Sequence, residues 1–120
     1  RWAASVDEAD AYVFVVPEYN FGPTPALLNA LNYVYHEWNY KPAAFVSYGG
    51  ISGGMRSVEA TKPTLTTLKM MPLIEQVAVP LVQEQLEDGT FKAKDIQEQS
   101  AIAMLDELER WAEALKPMRG

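Results

Sequence analysis

Two short stretches carry groups able to hold a ligand. The first is Pro17-Glu18-Tyr19-Asn20, followed by Phe21-Gly22-Pro23-Thr24. A strand that runs into Pro17 stops donating to its ladder. Glu18, Tyr19 and Asn20 then bring a carboxylate, a phenol and an amide to the strand end. Asn20 can both donate and accept hydrogen bonds, and Tyr19 offers a ring face. The second stretch is Gly49-Gly50-Ile51-Ser52-Gly53-Gly54, directly after Tyr48. Four glycines in six residues lose conformational entropy on ordering. Main chain that must lie close to a flat or bulky ligand explains that cost. The loop also opens a helix, where free N–H groups favour anions and carbonyl oxygens. The bland alternatives are a plain flexible turn for the glycines and simple packing for Tyr19 and Tyr48. Two such loops at one sheet edge shift the balance toward a ligand.

Gly50-Ile51-Ser52-Gly53-Gly54 also matches G-x-S-x-G, a nucleophile elbow in the required strand-turn-helix context. That pattern needs a His after the serine in chain order, and the sole His, His36, lies before it. Hydrolysis with Ser52 as nucleophile is therefore a minor alternative. His36 has no partner spacing for a metal and reads as a surface or interface residue. Glu84, Glu87 and Asp88 read as a solvated arm, so no metal site is expected. No side chain is assigned as a catalytic acid or base.

The elements that must position these loops follow from pattern. Residues 1–9 read as the tail of a helix. Residues 11–16, AYVFVV, form a short apolar run, the signature of a parallel strand covered on both faces. Thr24 as N-cap and Pro25 in the first turn start a helix expected to run to about Trp38. Its face is Leu27, Leu31, Val34 and Trp38. Residues 43–48 give a second strand, and a helix follows from about Met55, with Pro63 expected to kink or split it. A third strand lies within 73–79, stopped by Pro80. Asp88-Gly89 predicts a hairpin or arm. The last helix begins at Asp95, with Glu98 completing a capping box and Ala101, Leu105, Leu108, Ala112 and Leu115 as its apolar face. Lys116 and Arg119 suit its negative end, and Pro117 stops it. This strand–helix alternation predicts an α/β layer fold with a parallel sheet and right-handed crossovers, in one domain over 1–120. In open sheets of this kind ligands sit beyond the carboxyl ends of the strands, where both unusual loops lie.

Composition bounds the function. The chain has 120 residues, 48% of them hydrophobic, with 10 basic and 16 acidic side chains and a formal net charge of −6. That is a globular composition with one ordinary core. Its acidity argues against nucleic acid and anionic membrane as partners. The absence of Cys excludes disulfides, thiolate nucleophiles and Cys-based zinc sites, and fits a cytoplasmic protein. No apolar run approaches the roughly 18 residues of a membrane helix. The start, Arg1-Trp2-Ala3-Ala4-Ser5, has no initiator Met and no signal-peptide core, which predicts a chain cut from something longer.

Pro17-Glu18-Tyr19-Asn20 at a strand end, then a Gly and a Pro and ALLNAL, resembles the NADPH-dependent FMN reductase family of flavodoxin-like flavoproteins. Tyr48-Gly49-Gly50-Ile51-Ser52-Gly53-Gly54 resembles that family's second flavin loop, and EWNYKPAAFVSYGG is similar to its helix-to-strand passage. The resemblance implies a flavodoxin-like three-layer sandwich. Its first two strand-helix units, roughly 60 residues, are expected to be lacking, together with the Ser/Arg loop that wraps the FMN phosphate. In the sheet order 2-1-3-4-5 this chain would supply strands 3, 4 and 5, leaving an edge exposed on its first strand.

The implied cofactor site is Pro17, Glu18, Tyr19, Asn20, Tyr48, Gly49, Gly50, Ser52, Gly53 and Gly54. Asn20 and the nearby backbone would face the isoalloxazine edge, with Tyr19 and Tyr48 at the ring. Glu18 would act through its main chain or link to a neighbouring subunit. The implied cofactors are FMN, with NADPH or NADH as co-substrate, and Arg56 is the basic residue near the glycine loop. The implied reaction passes a hydride from nicotinamide to flavin N5, and on to a quinone, azo, metal or flavin acceptor. The resemblance also implies a homodimer or homotetramer. Tyr33, Tyr35, Trp38 and Tyr40 cannot all face one core and offer contacts for it. The alternative of a different class is a non-catalytic half-domain unable to hold FMN alone. A receiver-type signalling domain has no acidic cluster at a strand end to support it.

Overall fold

The computed structural model describes residues 1–18 and 22–119. Three strands, β1 (Tyr12–Val16), β2 (Pro42–Tyr48) and β3 (Met71–Val79), form a parallel sheet in the order β1-β2-β3. Tyr12 pairs with Ala43 and Val16 with Ser47, and on the other side Tyr48 pairs with Val79. β2 is the central strand, buried from Pro42 to Phe45. Between Ala43 and Phe45 the register with β3 moves from Pro72 to Gln76, so β3 carries extra residues there. Such a bulge bends an edge strand away from further pairing.

Three helices cover one face: α1 (Trp2–Glu8), α2 (Pro25–Asn32) and α3 (Met55–Thr67). Val6, Leu31, Val58 and Leu65 meet Val16, Phe45 and Trp38 there. The long helix α4 (Asp95–Leu115) covers the other face, placing Met104 and Leu108 against Ala44, Leu73, Val77 and Val79. The result is the expected helix–sheet–helix layering. A two-stranded hairpin, β4 (Leu86–Glu87) and β5 (Thr90–Phe91), turns through Asp88 and Gly89, both with positive φ, as the Asp-Gly pair predicts. No helix among the described residues is long and apolar enough to cross a membrane.

Several local expectations are corrected. The helix from Pro25 stops at Asn32 rather than Trp38, and a 3-10 turn, His36–Trp38, follows. Its start is as expected, since Thr24 Oγ1 accepts from the Leu27 amide at 3.2 Å. Its end has a tertiary cause. The buried indole Nε1 of Trp38 donates to the Leu31 carbonyl at 2.9 Å, taking an acceptor that a continued helix would give to residue 35. Pro63 does not split α3, which is one element from Met55 to Thr67. The Thr61 and Thr66 hydroxyls back-bond to the Ser57 and Lys62 carbonyls within it.

On α4 the buried positions are Gln97, Met104 and Leu108, with Ala101 and Trp111 packed beside them. Leu105, expected inside, is exposed. The cap also differs from the Asp95–Glu98 box. Gln97 Oε1 accepts from the Lys94 amide at 3.0 Å and from Gln85 Nε2 at 2.7 Å, and Gln97 Nε2 donates to Gln85 Oε1 at 3.0 Å.

β1 is not covered on both faces within this chain. Val13 is 38% and Val15 65% exposed, whereas Tyr12, Phe14 and Val16 turn toward the first core. α4 lies over β2 and β3 and leaves that side of β1 open. The other end of the sheet is clasped by polar groups. Arg119 meets Asp10 at 2.6 Å and donates to the Tyr40 carbonyl at 3.3 Å. Lys41, 2% exposed, donates to the carbonyls of Val6 and Asp7 at the end of α1, at 3.2 and 3.0 Å. That is the favourable place for a cation.

Candidate functional site

The carboxyl ends of all three strands open on one cavity of about 510 Å³, lined by Pro17, Glu18, Tyr48, Gly49, Gly50, Leu81, Val82, Gln83 and Glu84. Each contribution has a local cause. β1 ends at Val16 because Pro17 offers no amide. β2 ends at Tyr48, whose ring stays 38% exposed at the cavity. β3 ends at Val79 before Pro80, and residues 81–84 turn back over the glycine loop. A surface groove between β3 and α4, at Ile74, Glu75, Glu107 and Trp111, lies away from the strand ends and holds none of the expected residues.

The glycine loop is held by its own hydrogen bonds and by β3. The Gly53 amide donates to the Gly50 carbonyl at 3.1 Å, and the Gly49 amide to the Val79 carbonyl at 3.3 Å. The Leu81 amide donates to the Gly50 carbonyl at 2.8 Å and the Val82 amide to the Gly49 carbonyl at 3.3 Å. Leu81 does this from a left-handed backbone, φ +48, a conformation that costs a non-glycine residue about 1–2 kcal/mol. Backbone strain of this sort gathers at functional sites.

The glycines divide into two roles. A Cβ on Gly50 would meet nothing within 4 Å, so its main chain borders open space in the cavity. Gly53 and Gly54 have φ of +62 and +80 and are buried against protein. A Cβ on Gly54 would stand 2.7 Å from the Tyr48 carbonyl oxygen, and one on Gly53 3.0 Å from the Pro80 nitrogen. These two shape the turn rather than line the cavity. On Gly49 a Cβ would be 3.2 Å from the Gly54 nitrogen.

Of the expected site residues, Pro17, Glu18, Tyr48, Gly49 and Gly50 thus share one cavity, whereas Ser52, Gly53 and Gly54 are not part of its lining. Tyr19 and Asn20 lie outside the described residues. The Glu18 side chain, expected to be idle or to reach a neighbouring subunit, accepts a hydrogen bond from Ser52 Oγ at 3.1 Å. That bond turns Ser52 toward a carboxylate. His36 sits in the 3-10 turn ahead of β2, about 20 Å of strand away from the loop that follows it. The elbow pattern therefore lacks its base. Glu84, expected on a solvated arm, lines the cavity instead.

Sequence reasoning missed residues 81–84 altogether. The only available signal was Pro80 marking a strand end at the same edge. No group of three or more metal-ligating side chains occurs among the described residues.

A parallel sheet between helix layers, with glycine-rich and proline-stopped loops converging beyond its carboxyl edge, defines a flavodoxin-like α/β protein. The flavoenzyme NAD(P)H:(acceptor) oxidoreductase FerB from Paracoccus denitrificans shares this fold, with a TM-score of 0.73 over 94% of this chain and 66% of that one, at 20% identity. The family model for NADPH-dependent FMN reductase matches residues 1–84, and the chain belongs to that family. An NAD(P)H-dependent FMN reductase of Schizosaccharomyces pombe is 40% identical over 88 residues, 73% of this chain and 44% of that protein. An NADPH:quinone oxidoreductase of Arabidopsis thaliana is 47% identical over 53 residues, 42% of this chain and 27% of that protein. The chain spans less than half the length of these curated relatives.

The cavity fits an isoalloxazine ring. Its volume is that of a small-ligand site, Gly50 presents unobstructed main chain, and Tyr48, Leu81 and Val82 supply apolar wall.

Proposed function

We propose that this chain supplies the ring-binding side of an NAD(P)H-dependent FMN oxidoreductase whose acceptor is a quinone. The observation that carries the reading is the convergence of residues 17–18, 48–50 and 81–84 on one cavity in a chain of the FMN reductase family. Bound FMN supplies the hydride acceptor and donor that links nicotinamide to the second substrate. The chain's own residues bind and orient. Gly49 and Gly50 allow the main chain to approach the ring, and Tyr48 offers its aromatic face. Leu81 and Val82 exclude water from one side. Gly53 and Gly54 hold the turn that presents Gly50. No side chain is asked to act as acid or base. The quinone acceptor is favoured over azo, metal or free-flavin acceptors because plant relatives carry quinone oxidoreductase names.

The same reading takes residues 1–120 as one partial flavodoxin-like domain of a cytoplasmic homodimer or homotetramer. Tyr33 is 72% and Tyr35 40% exposed, whereas Trp38 is buried, so the aromatic run leaves surface for a partner copy.

A second reading has its own support: a half-domain that does not hold FMN by itself. The open side of β1, with Val15 two-thirds exposed, is where further sheet and helix would pack. Incubation with FMN followed by gel filtration separates the two. Flavin absorbance that co-elutes with the chain, with NAD(P)H-dependent bleaching, supports the oxidoreductase. A colourless chain supports the half-domain.

A further inference from the structure

We propose that Glu18 and Ser52 form a latch that positions the front loop of the cavity, so that Glu18 serves the site by holding the loop rather than by touching the cofactor. The proposal rests on the reading of this cavity as a flavin site. The ladder between β1 and β2 ends at Val16 and Ser47, and Pro17 cannot extend it. Beyond that point residues 17–18 need another anchor. The glycine loop already has one, through the bonds of Gly49 to Val79, Leu81 to Gly50 and Val82 to Gly49.

Ser52 Oγ donates to Glu18 Oε1 at 3.1 Å across 34 positions of sequence, and so passes that anchoring from the glycine loop to the front loop. The bond also fixes which way a carboxylate points in a cavity that already holds Glu84.

Position and charge are separable. Gln at 18 keeps an acceptor oxygen without the charge, and Thr at 52 keeps the hydroxyl. The test is amide hydrogen exchange at Val16 and Glu18, the end of the β1 ladder and the first amide of the front loop, together with FMN titration by fluorescence quenching. Ser52→Ala and Glu18→Ala should each speed exchange about three- to tenfold. The double variant should be no faster than either single. Ser52→Thr and Glu18→Gln should restore slow exchange, and FMN affinity should fall and recover in the same order.

Exchange in Ser52→Ala equal to the unaltered chain would overturn the latch. Glu18→Gln behaving like Glu18→Ala would also overturn it, because charge rather than position would then be what matters. If the unaltered chain binds no FMN while exchange responds as stated, the latch stands and the flavin reading falls.

Discussion

The Leu81 amide donates to the Gly50 carbonyl at 2.8 Å from a left-handed backbone. Two walls of the cavity are thereby fastened to one another by main chain. Leu81→Pro removes the donor and forbids the positive φ, so it should lower unfolding free energy by about 1–3 kcal/mol. Leu81→Gly keeps the donor and releases strain, so it should match or exceed the unaltered chain by up to about 1 kcal/mol. Urea midpoints at constant slope read both. Equal midpoints for all three chains would show that the staple has no weight.

Gly54 and Gly50 should respond in opposite senses. Gly54→Ala forces a Cβ to within 2.7 Å of the Tyr48 carbonyl at φ +80 and should cost about 2–4 kcal/mol. Gly50→Ala points into open space and should change stability by no more than about 0.5 kcal/mol. Its methyl would nonetheless occupy the cavity, so FMN affinity should drop. Melting curves and a flavin titration on the two variants check this. A Gly50→Ala chain that binds FMN normally would move the ring away from residue 50.

Trp38→Phe should cost about 2–3 kcal/mol, because it strands the Leu31 carbonyl and leaves a gap among Trp2, Tyr12 and Phe14. Thermal unfolding followed by circular dichroism measures it. A loss below about 0.5 kcal/mol would mean that water replaces the indole without penalty.

Alkaline stability should depend on Tyr12. Its hydroxyl donates to the Val6 carbonyl at 2.6 Å, and burial raises its pKa well above the ordinary 10.0. Arg119 pulls the other way, and Asp7, Asp10 and Glu37 add to the rise. A raised folded pKa means the contribution is complete below pH 10.0 and is lost as pH climbs through the raised value.

Lys41 acts with the opposite sign. Burial lowers its pKa from 10.5, helped by Arg119 and opposed by Asp7, Asp10 and Glu37. Stability is therefore gained as pH rises through its lowered value toward 10.5. Above 10.5 only the Tyr12 loss remains, and Tyr12→Phe should flatten it. Urea midpoints against pH for the two chains test this; parallel curves would remove Tyr12 from the account.

Local signals make most of this fold legible in the sequence. Apolar runs gave the three strands, Thr24-Pro25 gave a helix start, and Asp88-Gly89 gave the hairpin. What stayed hidden depends on contacts between residues far apart in the chain. The capture of the Leu31 carbonyl by Trp38 ends α2 where periodicity continues. The buried face of α4 is rotated to Met104 and away from Leu105 by the sheet it meets. At the site, Tyr48 and the glycine loop were readable because unusual composition marks them. Residues 81–84 were not, since their role comes from two backbone bonds that no side chain announces. The Glu18–Ser52 contact was equally silent, joining two loops that lie 34 positions apart.

The sheet order has a consequence for how the cavity breathes. Among the described residues β2 is hydrogen-bonded on both sides, whereas β1 pairs with β2 alone. Opening events therefore come at different free energies along the rim. Residues 49–54 can loosen only with the middle of the sheet, but residues 17–18 can leave with a fraying edge. Within the described sheet the cavity thus has one rim backed by a doubly paired strand and one backed by a singly paired strand.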